Sequence, residues 1–131
     1  MKKEYKTGTE QGKTLLDNIV KKIKKDGESL EYDCIVGVSG GTDSSYLLHW
    51  AKENNLRPLA VHYDNTWNST TATQNIRKMT KCLNVDLYTH VVNNKEMDDI
   101  YKAFIMANVP AIDVPTDLAL TEIMYRAASK Y

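Results

Sequence analysis

The chain has 131 residues, of which 42% are hydrophobic and 26% charged, the proportions of one globular domain or part of one. Basic and acidic side chains number 17 each, so the formal net charge of zero offers no basic surface for nonspecific nucleic-acid binding. No apolar run reaches the roughly 20 residues of a membrane span, and no apolar segment follows Met1–Glu4, so we expect neither a membrane segment nor a secretory signal. Cys34 and Cys82 lack a CxxC partner, and we expect them to be core residues of a cytoplasmic protein.

The predicted elements alternate between helices and strands. An amphipathic helix containing Leu15 to Ile23 ends at Asp26-Gly27, because glycine is a common helix stop. The apolar run Asp33–Val38 predicts a strand covered on both faces. We then predict, in chain order, a helix over Asp43–Asn55 with Leu47 facing inward, a strand over Arg57–Tyr63, a helix over Ser69–Leu83, a strand over Val85–Val92, a helix over Glu96–Asn108, an extended piece over Ala111–Pro115, and a helix from about Asp117 to Ser129 capped by Thr116.

This alternation predicts βαβ units and hence a Rossmann-like α/β fold with a parallel sheet. We divide the chain into an N-terminal amphipathic helix, residues 1–30, and an α/β domain, residues 31–131.

A glycine-rich loop joins the first strand to the next helix, with the sequence Ser39-Gly40-Gly41-Thr42-Asp43-Ser44-Ser45. Ligands bind at this end of the strands in doubly wound sheets. The two glycines let the backbone approach a phosphate, the unpaired N–H groups of a helix start favour an anion, and the four hydroxyl groups add donors. The carboxylate of Asp43 would repel phosphate unless Mg²⁺ lay between them. A plain turn with a helix cap is the alternative, with Asp43 serving only the helix dipole; we favour phosphate binding because these features coincide.

The segment Val36–Ser45 resembles the SGGxDS motif of the N-type ATP pyrophosphatases, the PP-loop superfamily. Within it, the chain is most similar to the N-acetyl sugar amidotransferases of bacterial surface-polysaccharide (lipopolysaccharide, O-antigen) biosynthesis. The stretches that carry this similarity are Tyr32–Val36, Arg57–Ser69, Asp86–Val92 and Val114–Asp117. The resemblance implies a three-layer parallel sheet of the HUP/PP-loop type.

The same resemblance implies an enzyme that adenylates the acetamido group of an N-acetylated nucleotide sugar, for displacement by ammonia. It implies ATP and Mg²⁺ as cofactors. A separate glutaminase subunit would supply the ammonia, because the chain shows no Cys–His pair for glutamine hydrolysis.

By this resemblance the loop would hold the triphosphate, with Ser39 and Asp43 catalytic and Asp43 near Mg²⁺. The remaining loop residues Gly40, Gly41, Thr42, Ser44 and Ser45 would also contact ATP. So would the end of the second strand, at Val61, His62 and Tyr63. Asp64, which follows that strand, would reach the ribose or the metal.

The sugar substrate would meet the loop after the second strand, at Asn65, Trp67 and Asn68, with Thr116 and Asp117 as weaker candidates. Trp67 has an equal alternative as a partly buried lid on the strand ends, and Thr116-Asp117 is first a helix cap. We expect the His62 side chain to be a packed or surface histidine and not a catalytic base.

Members of this superfamily are longer and have the sheet order 3-2-1-4-5, with ATP where strands 1 and 4 meet. Only three strands are predicted here, so we expect an incomplete N-terminal portion whose exposed first strand pairs with a second copy in a homodimer.

Two rival functions stay open. One is tRNA thiolation, which predicts catalytic cysteines and a basic RNA face; the other is a noncatalytic nucleotide-binding module resembling the universal stress proteins.

Overall fold

The computed structural model describes residues 6–131, and it contains a parallel three-stranded sheet with helices between the strands. The elements are, in chain order, α1 (Glu10–Asp26), β1 (Cys34–Gly37), α2 (Thr42–Glu53), β2 (Pro58–Asp64), α3 (Thr70–Leu83), β3 (Leu87–Val91), α4 (Asn94–Met106) and α5 (Val114–Lys130). Residues 1–5, where the predicted segment 1–30 begins and which include Met1–Glu4, lie outside the described residues.

The sheet has the order β1-β2-β3, and both strand pairs are parallel. Gly37 at the end of β1 is paired with Val61, and His62 of β2 is paired with Thr89 of β3. The predicted α/β class and parallel sheet are therefore confirmed, and β1 forms one edge of the described sheet.

Successive side chains of β2 point to opposite faces, and each face has its own core. The core on the α2 and α3 side contains Val36, Val38, Leu48, Ala60 and Ile76. The core on the α5 side contains Leu59, Val61, Tyr63, Ile123 and Ala127. Helices thus cover both faces, which makes three layers.

Local capping explains where several helices begin and end. The hydroxyls of Thr9 and Ser69 accept hydrogen bonds from the backbone N–H groups of Gly12 and Ala72, and these bonds start α1 and α3. Asn84 ends α3 in the left-handed conformation, with φ of 49°. The elements predicted up to residue 108 are all present, with ends displaced by no more than two residues.

The prediction of an extended piece at residues 111–115 was wrong. The chain makes a turn there, α5 already begins at Val114, and Thr116 lies inside the helix. Asp113 takes the capping position without a side-chain cap bond. The residue before a proline usually favours an extended backbone, but Pro115 fits the first helical turn, where its missing N–H is not needed.

Two side chains expected in the core are exposed. Leu47 is 50% exposed, because α2 buries Leu48 and Ala51 and the adjacent position points about 100° away. Cys82 is also exposed, because α3 buries Ile76 and Thr80, four residues apart on the same face.

The helix α1 contacts the rest of the fold through Val20, which is buried with Ala51 and Leu56. The division into segments 1–30 and 31–131 stays a prediction. None of the helices in the described residues 6–131 has both the length and the apolar character needed to cross a membrane.

Candidate functional site

The glycine-rich segment Ser39–Ser45 follows the carboxyl end of β1 and opens α2, as predicted, and its last four residues form the first turn of that helix. The backbone N–H of Ser39 donates to the Ser44 hydroxyl at 3.2 Å, and the Ser39 and Ser44 hydroxyls are also 3.2 Å apart. The hydroxyls of Ser44 and Ser45 donate to the carbonyl of Gly41 at 3.3 and 2.7 Å. These bonds tie Ser39 and Gly41 to the first turn of α2, so the hydroxyl groups help to fix the shape of the loop.

Gly40 presses the loop against α3. Its φ is +78°, and a Cβ atom placed there would lie 2.3 Å from the carbonyl oxygen of Ala72. The side-chain amide of Asn75, 35 residues further along the chain, donates to the Gly40 carbonyl at 3.1 Å. Only glycine combines this backbone angle with so close an approach. Sequence reasoning missed Ala72 and Asn75, because no local pattern marks them.

A cavity of about 340 Å³ opens on the sheet side of the loop. It is lined by the ends of β1 and β2, the loop after β2 and the start of α5. Seven predicted site residues meet in its wall: Ser39, Ser44, His62, Tyr63, Asn65, Asn68 and Thr116. Asp117, next to Thr116, is exposed.

The remaining loop residues lie on the other side. A more open groove of about 590 Å³ between α2 and α3 is lined by Gly40, Gly41, Thr42, Ser45, Tyr46, Asn75, Lys78, Met79 and Cys82. Asp43 is exposed in the first turn of α2. The residues assigned to the triphosphate are therefore divided between two sides of the loop.

Val61 and Asp64, at the end of β2, are both engaged within the protein. The Val61 side chain is fully buried, and its carbonyl accepts a hydrogen bond from the Val38 N–H at 2.9 Å. Asp64 Oδ1 accepts from the Thr66 N–H at 2.8 Å and from the Asn68 side-chain amide at 2.9 Å. The Thr66 bond is the main cause that lowers the pKa of Asp64; partial burial opposes it, and the Asn68 amide reinforces it. Asp64 thereby orders the loop after β2, and its role toward ribose or metal stays a prediction.

His62 is packed, one of the two outcomes expected for it. The residue is 5% exposed, and its ring nitrogen Nδ1 is 3.0 Å from the Val38 carbonyl oxygen. Its second nitrogen, Nε2, is buried and has no hydrogen-bond partner within the described part of the chain. The alternation of side chains along β2 places His62 on the same face as Ala60, which belongs to the core on the α2 and α3 side.

Trp67 lies on the Tyr101 ring, with centroids 4.9 Å apart and an angle of 33° between the planes. Trp67 is 63% exposed, whereas Tyr101 is buried and its hydroxyl forms a hydrogen bond with the Thr116 hydroxyl. The stack therefore connects the loop after β2 to α4 and α5. The exposed indole fits either of the two roles predicted for it.

No group of three or more histidine, cysteine, aspartate or glutamate side chains in residues 6–131 is arranged to hold a metal ion. Magnesium is usually bound by one or two carboxylates together with substrate phosphates, and not by a cage of protein ligands. The exposed carboxylate of Asp43 at the loop fits that pattern, so the residues present suit an Mg²⁺ ion that arrives with a triphosphate.

Comparison with known proteins adds one relative. No family model matches the chain. Over 100 residues the chain is 33% identical to an uncharacterized protein of the archaeon Methanocaldococcus jannaschii, and the match covers 76% of this chain and 34% of that protein. The chain thus spans about a third of the length of the curated relative it matches. The name of that relative describes no activity, so a functional assignment depends on the site itself.

Proposed function

We propose that the protein is an ATP-using, PP-loop-type amidotransferase that acts on an N-acetylated nucleotide sugar. In the first step the acetamido oxygen attacks the α-phosphorus of ATP, and pyrophosphate leaves. In the second step ammonia attacks the activated carbon, and AMP leaves with the former acetamido oxygen. The product carries an acetamidino group.

The observation that carries this proposal is the geometry of Gly40. A plain turn with a helix cap needs no glycine pressed against a neighbouring helix, yet a Cβ on Gly40 would lie 2.3 Å from Ala72 O. This packing brings bare backbone and hydroxyl groups to the end of a parallel strand and the start of a helix, where phosphate groups are favoured. The SGGxDS resemblance then favours a pyrophosphate-releasing site over other phosphate sites.

The chain's own residues would act mainly by binding and orientation. Ser39 and Ser44 line the cavity, and their hydroxyls would donate to phosphate oxygens as charge develops on the departing pyrophosphate. Asn65, Asn68 and Thr116 offer polar groups in the same cavity for the acceptor sugar. Mg²⁺ held through Asp43 would neutralise part of the phosphate charge. A separate glutaminase would supply ammonia.

The test is an incubation of the protein with ATP, Mg²⁺, ammonium and a panel of UDP-N-acetyl sugars, followed by assay of AMP and pyrophosphate. Direct addition of ammonium removes the need for a glutaminase partner. We expect AMP formation that depends on the sugar. Formation of ADP, or retained ATP with no turnover, would contradict the proposal.

Asp43→Ala provides the matched variant, with Asp98→Ala as the control because Asp98 is an exposed carboxylate on α4. We expect the Asp43 variant to lose turnover and to keep its fold by circular dichroism. An unfolded Asp43 variant would favour the helix-cap role instead.

One observation favours tRNA thiolation as a second candidate: Cys82 is exposed and lines the groove on the outer side of the loop. The zero net charge gives no support to the RNA surface that this function needs. Cys82→Ser decides between the two candidates. An amidotransferase would keep its sugar-dependent AMP formation in this variant, whereas a tRNA-thiolating enzyme would lose sulfur transfer.

A further inference from the structure

His62 lines the cavity beside the loop, and one nitrogen of its side chain is buried without a hydrogen-bond partner in the described part of the chain. Nδ1 is 3.0 Å from the Val38 carbonyl oxygen, which can only accept, so Nδ1 carries a hydrogen atom. A neutral imidazole then has its lone pair on Nε2. That nitrogen is shielded from solvent and has no partner among residues 6–131, and His62 is one of the residues that line the cavity.

Such an acceptor is unusual, because most buried polar side-chain atoms have a hydrogen-bond partner. His62 lies on the face of β2 that carries Ala60 in the apolar core, where an aliphatic side chain would leave no acceptor unsatisfied. Its neighbours in the cavity wall include Ser39 and Ser44 of the loop. His62 therefore belongs to the same cavity wall as two residues of the proposed phosphate loop.

We propose that Nε2 of His62 accepts a hydrogen bond from the nucleoside part of a bound adenine nucleotide. This inference rests on the proposed function. Phosphate oxygens are acceptors at neutral pH and would be repelled by a lone pair, so the phosphates do not fit this nitrogen. The donors of ATP are the ribose hydroxyls and the exocyclic amino group of adenine, and these share the chemistry that the nitrogen requires.

Two substitutions separate this role from a structural one. The side-chain amide nitrogen of His62→Asn takes the place of Nδ1, so it keeps the bond to the Val38 carbonyl and removes the acceptor at Nε2. The side chain of His62→Gln reaches the Nε2 position with an amide oxygen, so it keeps an acceptor and loses the Val38 bond. MgATP binding is measured by titration calorimetry for both variants, together with their thermal unfolding.

We expect His62→Asn to bind MgATP about tenfold more weakly than the wild type, the effect of one lost hydrogen bond. His62→Gln should bind within about threefold of the wild type, even where its melting temperature is lower. The opposite order, with the Asn variant retaining ATP and the Gln variant losing it, would show that His62 only ties down Val38 and would overturn the proposal.

Nucleotide analogues identify the donor and need only the wild-type protein. 2′-Deoxy-ATP, 3′-deoxy-ATP and purine riboside triphosphate each lack one candidate group. One analogue should bind about tenfold more weakly than ATP. That analogue should bind the wild type and His62→Asn equally, because the interaction is already absent. Equal binding of ATP and all three analogues to the wild type would overturn the inference even where a variant fails to fold.

The outcomes also separate this inference from the proposed function. Failure of the wild type to bind MgATP would overturn both. Normal MgATP binding by the wild type and by both variants would overturn the role of His62 alone and leave the nucleotide site in place. Loss of UDP-sugar binding in His62→Asn with normal ATP binding would place the acceptor at the sugar and likewise overturn the inference.

Discussion

Gly40 and Ala72 are in contact through their backbones, so that a Cβ atom on Gly40 would lie 2.3 Å from the carbonyl oxygen and 2.8 Å from the carbonyl carbon of Ala72. The contact joins the glycine-rich loop to the first turns of α3. Because both sides are backbone, neither can move aside as the end of a flexible side chain would. The position of the loop is therefore set by the packing of α3 against the sheet.

Gly40→Ala is expected to destabilise the protein by about 3 kcal/mol. Overpacking against the Ala72 backbone contributes roughly 1–3 kcal/mol, and a side chain in the left-handed region adds about 1 kcal/mol. Urea unfolding followed by circular dichroism measures the loss. Where the variant folds, the loop must move away from α3, and MgATP binding should fall with it.

Gly41→Ala is the matched control for stability. Gly41 has φ of −85°, which any residue adopts, and an added Cβ would lie 3.4 Å from the Ser39 hydroxyl oxygen. We expect a change below about 1 kcal/mol in the free energy of unfolding. Equal losses in the two variants would contradict the argument from the Gly40–Ala72 contact.

The ion pair of Asp33 and Arg57 should make stability depend on pH in the acid range. Desolvation of Asp33 would raise the pKa of its carboxyl, but the hydrogen bonds from the Arg57 side chain and backbone outweigh it and hold the pKa below its ordinary value of 3.8. The folded state then retains the charge more strongly than the unfolded state. Its stabilising contribution is complete above pH 3.8 and is lost as the pH falls through the lower, folded-state pKa.

Arg57→Ala tests this pair. The Asp33 side chain is 4% exposed, so removal of its partner leaves a shielded charge with fewer hydrogen bonds, and we expect a measurable fall in the free energy of unfolding at pH 7. The difference from the wild type should shrink in urea unfolding below pH 3.8, as Asp33 becomes protonated. Arg126→Ala is the control, because its pair with Glu122 is exposed on α5 and should contribute less than about 0.5 kcal/mol.

Trp67→Ala distinguishes the two roles of the exposed indole. Loss of the stack on Tyr101 should lower stability by about 1 kcal/mol in either case. If Trp67 contacts the sugar, the KM for the nucleotide sugar rises about tenfold while kcat stays within about twofold, because the lost contact is made equally in the ground and transition states. Trp67→Phe should retain most of the wild-type stability and most of the wild-type affinity for the sugar, because it keeps an aromatic ring.

The control for this prediction is Tyr125→Ala, an aromatic side chain that is 73% exposed on α5. It should change neither the sugar's KM nor the melting temperature measurably. An unchanged KM in Trp67→Ala, with reduced stability alone, would leave Trp67 as a lid on the strand ends.

The strand–loop–helix unit could be predicted because its signals are local. The apolar run that ends at Val38 and the pair Gly40-Gly41 lie next to each other in the sequence, and each has a direct structural meaning. The face of the sheet on which His62 lies follows from the same kind of pattern, the alternation of a strand. These features could be predicted without knowledge of contacts between distant segments.

The remaining features depend on contacts between distant segments. The bond from Asn75 to Gly40 spans 35 residues and exists only because α3 packs beside the loop. The division of the loop residues between a cavity and an outer groove has the same origin. Thr116 was misplaced for a local reason, since a proline accepts both an extended predecessor and a place in the first helical turn.

Association through the edge of the sheet is the last prediction. Among residues 6–131, β1 has a neighbouring strand on one side only, so its outer edge presents backbone groups that can pair with another chain. Sedimentation velocity over a range of concentrations should show a homodimer.

A rival interface exists on α1, where Leu15, Leu16 and Ile19 are 48%, 43% and 53% exposed. Ile19→Lys would disrupt that apolar face and should leave a β1-mediated dimer intact. Loss of the dimer in this variant would assign the interface to α1. A sharp monomer of the wild type at high concentration would contradict association altogether.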